Sequence, residues 1–244
     1  MKKTNQQSAS ITDALNVDFK EDDTLWLTNS ITLRKLIGIL GMALPLLLFL
    51  FLYIDNGMSN PLPSISHYYY TRVSSIFVSI MSILGIFLIV YKGKEPIDFF
   101  ISSVAGFFAI SVVCFPTSNL SGCCDPLKPF SVMHLNVSPF RENFHYISAA
   151  IFLSCLTYMS LFLFTKSDKS PSNRGTKKTI RNRIYRVCGI LMFVAILTIF
   201  AGFLKIIPED YYDEHNITFW METLAVESFG FSWLIKGETL FRDM

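Results

Sequence analysis

The chain has 244 residues and a formal net charge of +2, with 51% hydrophobic, 15% aromatic and only 16% charged residues. Soluble domains carry roughly 25% charged residues, so a water-soluble globular domain is the first class excluded. The apolar residues gather into runs of about 17–21, the length that crosses a hydrocarbon layer about 30 Å thick. The fold class that follows is all-α: a polytopic integral membrane bundle of six transmembrane helices.

Residues 1–28 form a polar tail holding Asp13, Asp18, Glu21, Asp22 and Asp23. Such a segment is expected to be disordered or to rest on the membrane surface. It has no apolar stretch of the kind that marks a cleavable signal peptide. The transmembrane domain covers 29–236. Asn29 and Ser30 offer N-cap chemistry for the first helix, which spans about 36–54 and carries Arg34 and Lys35 at its foot. Pro45 lies mid-span and predicts a kink. Between the first two spans comes Pro63–Arg72, P-S-I-S-H-Y-Y-Y-T-R, too polar for hydrocarbon and wedged between segments that require it.

The second span, 73–91, places Ser75, Ser79, Ser82 and Gly85 on one helical face, suited to close helix contact. A short hairpin at 92–96 makes span three, 97–115, its antiparallel neighbour. Pro96 suits a first helical position, and Asp98 sits where the helix dipole favours an acid. A polar loop from 116 to 143 holds Cys123, Cys124 and His134. The five cysteines include no C-x-x-C pair, so neither a zinc site nor a dithiol motif is indicated. Span four, 144–164, opens with His145. A basic connection follows over 165–186, then span five at 187–204, an acidic loop at 208–216, span six at 218–235 and a tail at 237–244.

Charge placement fixes an orientation. With the N-terminus in the cytoplasm, that side receives five Lys and Arg from the tail and first helix foot. It gains two from the 92–96 hairpin, eight from 165–186 and two from the C-terminal end. Those are 17 of the 21; only Arg72, Lys128, Arg141 and Lys205 face outward. Both termini are therefore expected to be cytoplasmic. The basic stretch with Lys177, Lys178, Arg181, Arg183 and Arg186 reads as a positive-inside loop touching anionic lipid, not as a nucleic-acid patch.

This topology puts Ser64, Ser66, His67, Tyr68, Arg72, His145 and Glu222 at one outer level. One reading makes them a polar pocket for a lipid headgroup or similar anionic ligand, with Arg72 supplying charge and hydroxyls supplying hydrogen bonds. A second makes His67, His145 and Glu222 the metal ligands of an intramembrane hydrolase. A third is structural, with the tyrosines as an interfacial belt and Glu222 paired to Arg72. Glu227, deeper in span six, is an intramembrane acid; a charge there costs about 2.5–3.5 kcal/mol and calls for a partner. It stands about 140° around the helix from Glu222. Asn119, Asn136 and Asn216 each open an N-x-S/T triplet, read as chance.

Pro63-Ser-Ile-Ser66, His145 with Ser148-Ala149, and Trp220-Met-Glu222 resemble motifs of the Frag/DRAM/Sfk group of membrane proteins and its bacterial relatives of unknown function. Met221 separates the Trp from the acid, and their order is reversed. The resemblance implies a lipid-related function. The expectation is a non-enzymatic integral protein of the inner (plasma) membrane, if the source is bacterial. It would handle a lipid or amphiphile and require no cofactor. Its expected partners are membrane lipids, with a second copy or another membrane protein as the macromolecular candidates; nucleic acid is not among them. A small-solute transporter is the remaining alternative, weakened by the lack of matched broken helices.

Overall fold

The computed structural model describes residues 30–93, 95–120, 130–166 and 176–237, and the chain there is helical, with no strand among the described residues. The 1–28 tail, the N-cap expectation at Asn29 and the cysteines Cys123 and Cys124 lie outside these residues. The helices are α1 (Ser30–Asn56), a 3-10 helix (Ile65–Tyr70), α2 (Ser74–Val90), α3 (Pro96–Cys114) and α4 (Pro139–Tyr158, continued by a π turn at Met159–Leu163). After them come α5 (Thr176–Phe203), the short α6 (Glu209–Glu214) and α7 (Ile217–Lys236).

Among the described residues, four segments are long and apolar enough to cross a membrane: Ile31–Asp55, Pro96–Cys114, Pro139–Leu163 and Thr176–Phe203. Ser74–Val90 is as apolar but shorter. Helices suit that setting because each satisfies its own backbone polar groups where water cannot. The outward faces agree with it: Val187, Phe193, Leu197, Phe200 and Phe203 of α5 all stand exposed. In water such a surface would drive aggregation; against lipid it is at no disadvantage.

The helices close into a ring. Each of α1 to α5 packs on its sequence neighbour, and α7 fits between α5 and α1. α1 turns Leu33, Ile37, Leu44, Leu48 and Leu52 inward at helical spacing, and it runs as one helix through Pro45. Gly57, at φ 67°, ends it in the left-handed conformation that glycine adopts without penalty. Two glycine pairs set the closest approaches. A Cβ on Gly230 of α7 would stand 2.7 Å from the carbonyl oxygen of Gly38 in α1, and one on Gly85 of α2 would stand 3.0 Å from that of Gly106 in α3.

Several sequence expectations change. α4 starts at Pro139, not Phe144, because Ser138 accepts a hydrogen bond from the Arg141 amide and caps it. α5 starts at Thr176, so Lys177, Lys178, Arg181, Arg183 and Arg186 belong to a helix and not to a loop. The reason is visible at the end of α4: Lys178 donates to the Phe164 carbonyl and Asn182 to that of Thr165, and Ser160 donates to the Tyr185 carbonyl. The basic turns of α5 thus satisfy carbonyls left open where α4 ends. On α2, Ser75 and Ser79 are exposed; only the Gly85 end of the small-residue face is used against α3. Asp98 forms a capping box with Glu95, the helix-start role its position indicates.

The glycine contacts give a test. Gly230→Ala is expected to cost about 1–3 kcal/mol through overpacking against backbone. Gly41→Ala, whose added Cβ would meet its nearest atom at 3.5 Å, is expected to be near neutral. Apparent melting temperatures in detergent check the pair.

Candidate functional site

The polar stretch between α1 and α2 folds as a 3-10 helix because Ser64 caps its start with extended backbone and Thr71 closes its end, donating from Oγ1 to the Tyr68 carbonyl at 2.8 Å. Ile65, Ser66, Tyr68 and Tyr70 are buried. The alternating inward rings make the segment a plug on one end of the bundle. Tyr70 donates from its hydroxyl to the Thr117 carbonyl, and the Val132 amide donates to the Tyr70 carbonyl at 2.9 Å. The loop after α3 is held over the plug by Asn119, which donates to the Leu135 carbonyl at 2.7 Å and accepts from the Leu135 amide at 2.9 Å. Arg141 adds hydrogen bonds to the carbonyls of Pro116 and Asn136.

Two hydrogen bonds fasten the plug to α7. The Ile65 amide donates to Glu222 Oε2 at 2.7 Å, and the Phe219 amide donates to the Pro63 carbonyl at 3.1 Å. Each partner supplies what the other lacks: the first amides of a helix have no internal acceptor, and here both α7 and the 3-10 helix find theirs in the opposite segment. The Tyr68 and Phe219 rings pack beside the joint with centroids 6.1 Å apart.

Beneath the plug lies a cavity of about 40 Å³. Its walls come from Leu44 of α1, Phe77 and Met81 of α2, Val112 of α3, Phe152 of α4 and Val226 of α7, with Ser66 and Glu222 as its polar members. A water occupies about 10–15 Å³ on this measure, so the space suits a few waters or the end of a hydrocarbon chain.

Of the residues singled out in the sequence, Ser64, Ser66, His67, Tyr68, His145 and Glu222 are brought to this end of the bundle. Ser64 Oγ and His67 Nδ1 hydrogen-bond at 2.7 Å. His145 directs Nδ1 at the carbonyls of Phe115 (2.8 Å) and Val112 (3.2 Å). Two acceptors there require the proton on Nδ1, so His145 staples α4 to the end of α3. Arg72 is the exception: it is exposed and pairs with Asp55 at 3.8 Å. Neither the pocket charge nor the Arg72–Glu222 pairing is formed, because Arg72 lies beyond the plug and points back to the end of α1. Among the described residues no group of three or more His, Cys, Asp or Glu that could hold a metal ion is formed; Glu222 is instead engaged by the Ile65 amide, and His145 by the carbonyls of Phe115 and Val112. Glu227 Oε1 and Thr223 Oγ1, one turn apart on α7, are buried with no hydrogen-bond partner among the described residues. Cys114 is a free thiol.

The backbone joints at Ile65 and Pro63 were not legible in the sequence, since any residue but proline carries the amide. The Asn119 clasp was hidden for a similar reason: its side chain reads as a sequon, but both its polar atoms are committed to Leu135. Compared with models of known families, with curated proteins and with solved structures, the chain matches none.

Burial pushes the His67 imidazole down to about 4, with His145 adding a smaller repulsion. The unfolded chain therefore binds a proton that the folded chain refuses between about pH 6.5 and pH 4, and stability falls as pH drops through that window. His67→Gln is expected to flatten the acid side of the stability profile relative to wild type, with Glu222 and His145 unchanged in both. Thermal unfolding from pH 7.5 to 4.5 measures the difference.

Proposed function

We propose that the chain is a six-span membrane protein with both termini cytoplasmic, whose plugged cavity receives the end of an amphiphile from the outer leaflet. The count adds α2 and α7 to the four long apolar helices; both lie in the same closed ring, and α7, of 20 residues, is long enough despite Glu222, Glu227 and Lys236. The orientation rests on the distribution of Lys and Arg.

The observation that carries the reading is the cavity itself: nearly all its wall is apolar, and a single carboxylate stands at its edge beside Ser66. Apolar walls with a few placed polar groups are the usual form of a small-molecule site. A hydrocarbon end would occupy the apolar part, and a hydroxyl or amide near the head of the amphiphile would meet Glu222 and Ser66. No step of this role requires a nucleophile or a metal, and the reading is of binding or handling, not of catalysis. The resemblance of Pro63–Ser66, His145 and Glu222 to the Frag/DRAM/Sfk group supports a lipid-related role.

Filling the cavity tests the proposal. Ala149→Leu and Val112→Phe are each expected to lower co-purified amphiphile about tenfold, the equivalent of about 1.4 kcal/mol, in native mass spectrometry of the purified protein. Arg72→Ala, outside the cavity, is expected to leave it unchanged. Equal amphiphile content in all three variants and the wild type would overturn the reading.

A further inference from the structure

The sequence points to an anionic ligand at the outer end of the bundle, with Arg72 as the charge that holds it. The structure reverses that sign. Arg72 pairs with Asp55 at 3.8 Å, and Arg141, at the start of α4, donates to the carbonyls of Pro116 and Asn136. Among the described residues the charged side chain that lines the cavity under the plug is Glu222, with Ser66 as the second polar group.

The wall selects a ligand by its chemistry. Glu222 Oε2 accepts from the Ile65 amide at 2.7 Å. A carboxylate has about four lone-pair sites on its two oxygens and no donor, so one amide leaves it capacity for further donors. Held among apolar side chains, it is stabilised most by a group that brings N–H donors together with a positive charge. Phe77 and Phe152 add aromatic rings to the wall and Met81 a thioether. Ring faces attract cations, and a thioether packs against irregular apolar shapes. A carboxylate and a hydroxyl beside such walls are the complement of an alkylammonium, whose charged head and methylenes want opposite surroundings.

Size narrows the head group. The space of about 40 Å³ compares with about 10–15 Å³ for a water on the same measure. It admits a few water-sized groups, such as an –NH3+ with its first carbons. A trimethylammonium is bulkier, and its methyls leave it no N–H to give Glu222.

We infer that the cavity under the plug binds a primary alkylammonium, with Glu222 as its counter-ion and Ser66 as a second hydrogen-bond acceptor. The inference rests on the cavity reading above and names the head group of the amphiphile. An anionic head is rejected there, since it would meet Glu222 with like charge.

The test titrates n-hexylamine, n-hexanol and hexanoate, equal in chain length and different in charge, into the full chain in phosphatidylcholine nanodiscs. It reads the apparent melting temperature at neutral pH, where the amine is protonated. The wild type is expected to respond to hexylamine at about tenfold lower concentration than to hexanol, as a charge-assisted hydrogen bond provides, and not to respond to hexanoate. Glu222→Gln keeps an oxygen for the Ile65 amide and removes the charge. It is expected to lose the preference for the amine and to respond to hexanol as the wild type does. If Glu222→Gln does not fold, the three probes on the wild type decide. Ala149→Leu, which fills the space, is expected to weaken both hexylamine and hexanol. Equal response to amine and alcohol in the wild type, or a preference kept in Glu222→Gln, with both probes weakened by Ala149→Leu, would overturn the ammonium assignment alone. Responses indifferent to Ala149→Leu would overturn the cavity reading and this inference with it.

Discussion

The hydrogen bond from the Ile65 amide to the Glu222 carboxylate is the constraint on which one end of this molecule depends. A carboxylate held among apolar side chains is costly, and an opened helix start is costly for want of acceptors. Placing one against the other removes both problems. The reciprocal bond from Phe219 to Pro63 makes the joint two-sided, so the segment between α1 and α2 is held as a plug instead of a wandering loop. The cavity exists because the plug stops there. Without the joint, Ser66 and the apolar walls around it would not enclose a common space.

The same helix organises the other end. α7 enters the ring at the Glu222 joint, crosses α1 at the Gly38–Gly230 contact and finishes with Trp233 among aromatic rings. It carries two acids and a lysine, yet it is the one that closes the circle between α5 and α1. Polar groups in a buried helix are tolerated where neighbouring segments answer them. Glu222 is answered by an amide and Lys236 by a ring, while Glu227 and Thr223 have no partner among the described residues.

The helical, membrane-resident class was legible from composition and run length, because burying apolar surface in lipid leaves a signal in every residue of a span. The gathering of Ser64, Ser66, His67, His145 and Glu222 at one end was legible from topology alone, since alternating spans return distant residues to one level. Helix starts were less so. Thr176 begins α5 eleven residues before the apolar run, because Lys178 and Asn182 are recruited to carbonyls left open where α4 ends, and no local pattern announces that need. Arg72 was misjudged for a related reason: proximity in sequence to His67 put it in the cluster, but the direction of the chain leaving the plug carried it to Asp55. The packing of Tyr91, Phe164 and Trp233 was missed because the rings come from three separate segments.

Amide hydrogen exchange over residues 63–71 tests the plug most directly. The account requires slow exchange at Ile65 in the wild type, and exchange faster by about tenfold or more in Glu222→Ala, the loss of about 1.4 kcal/mol or more from one charge-assisted bond; the basic first turns of α5, which line no part of the cavity, should keep their protection. Rapid exchange at Ile65 in the wild type, or protection unchanged by Glu222→Ala, would contradict it.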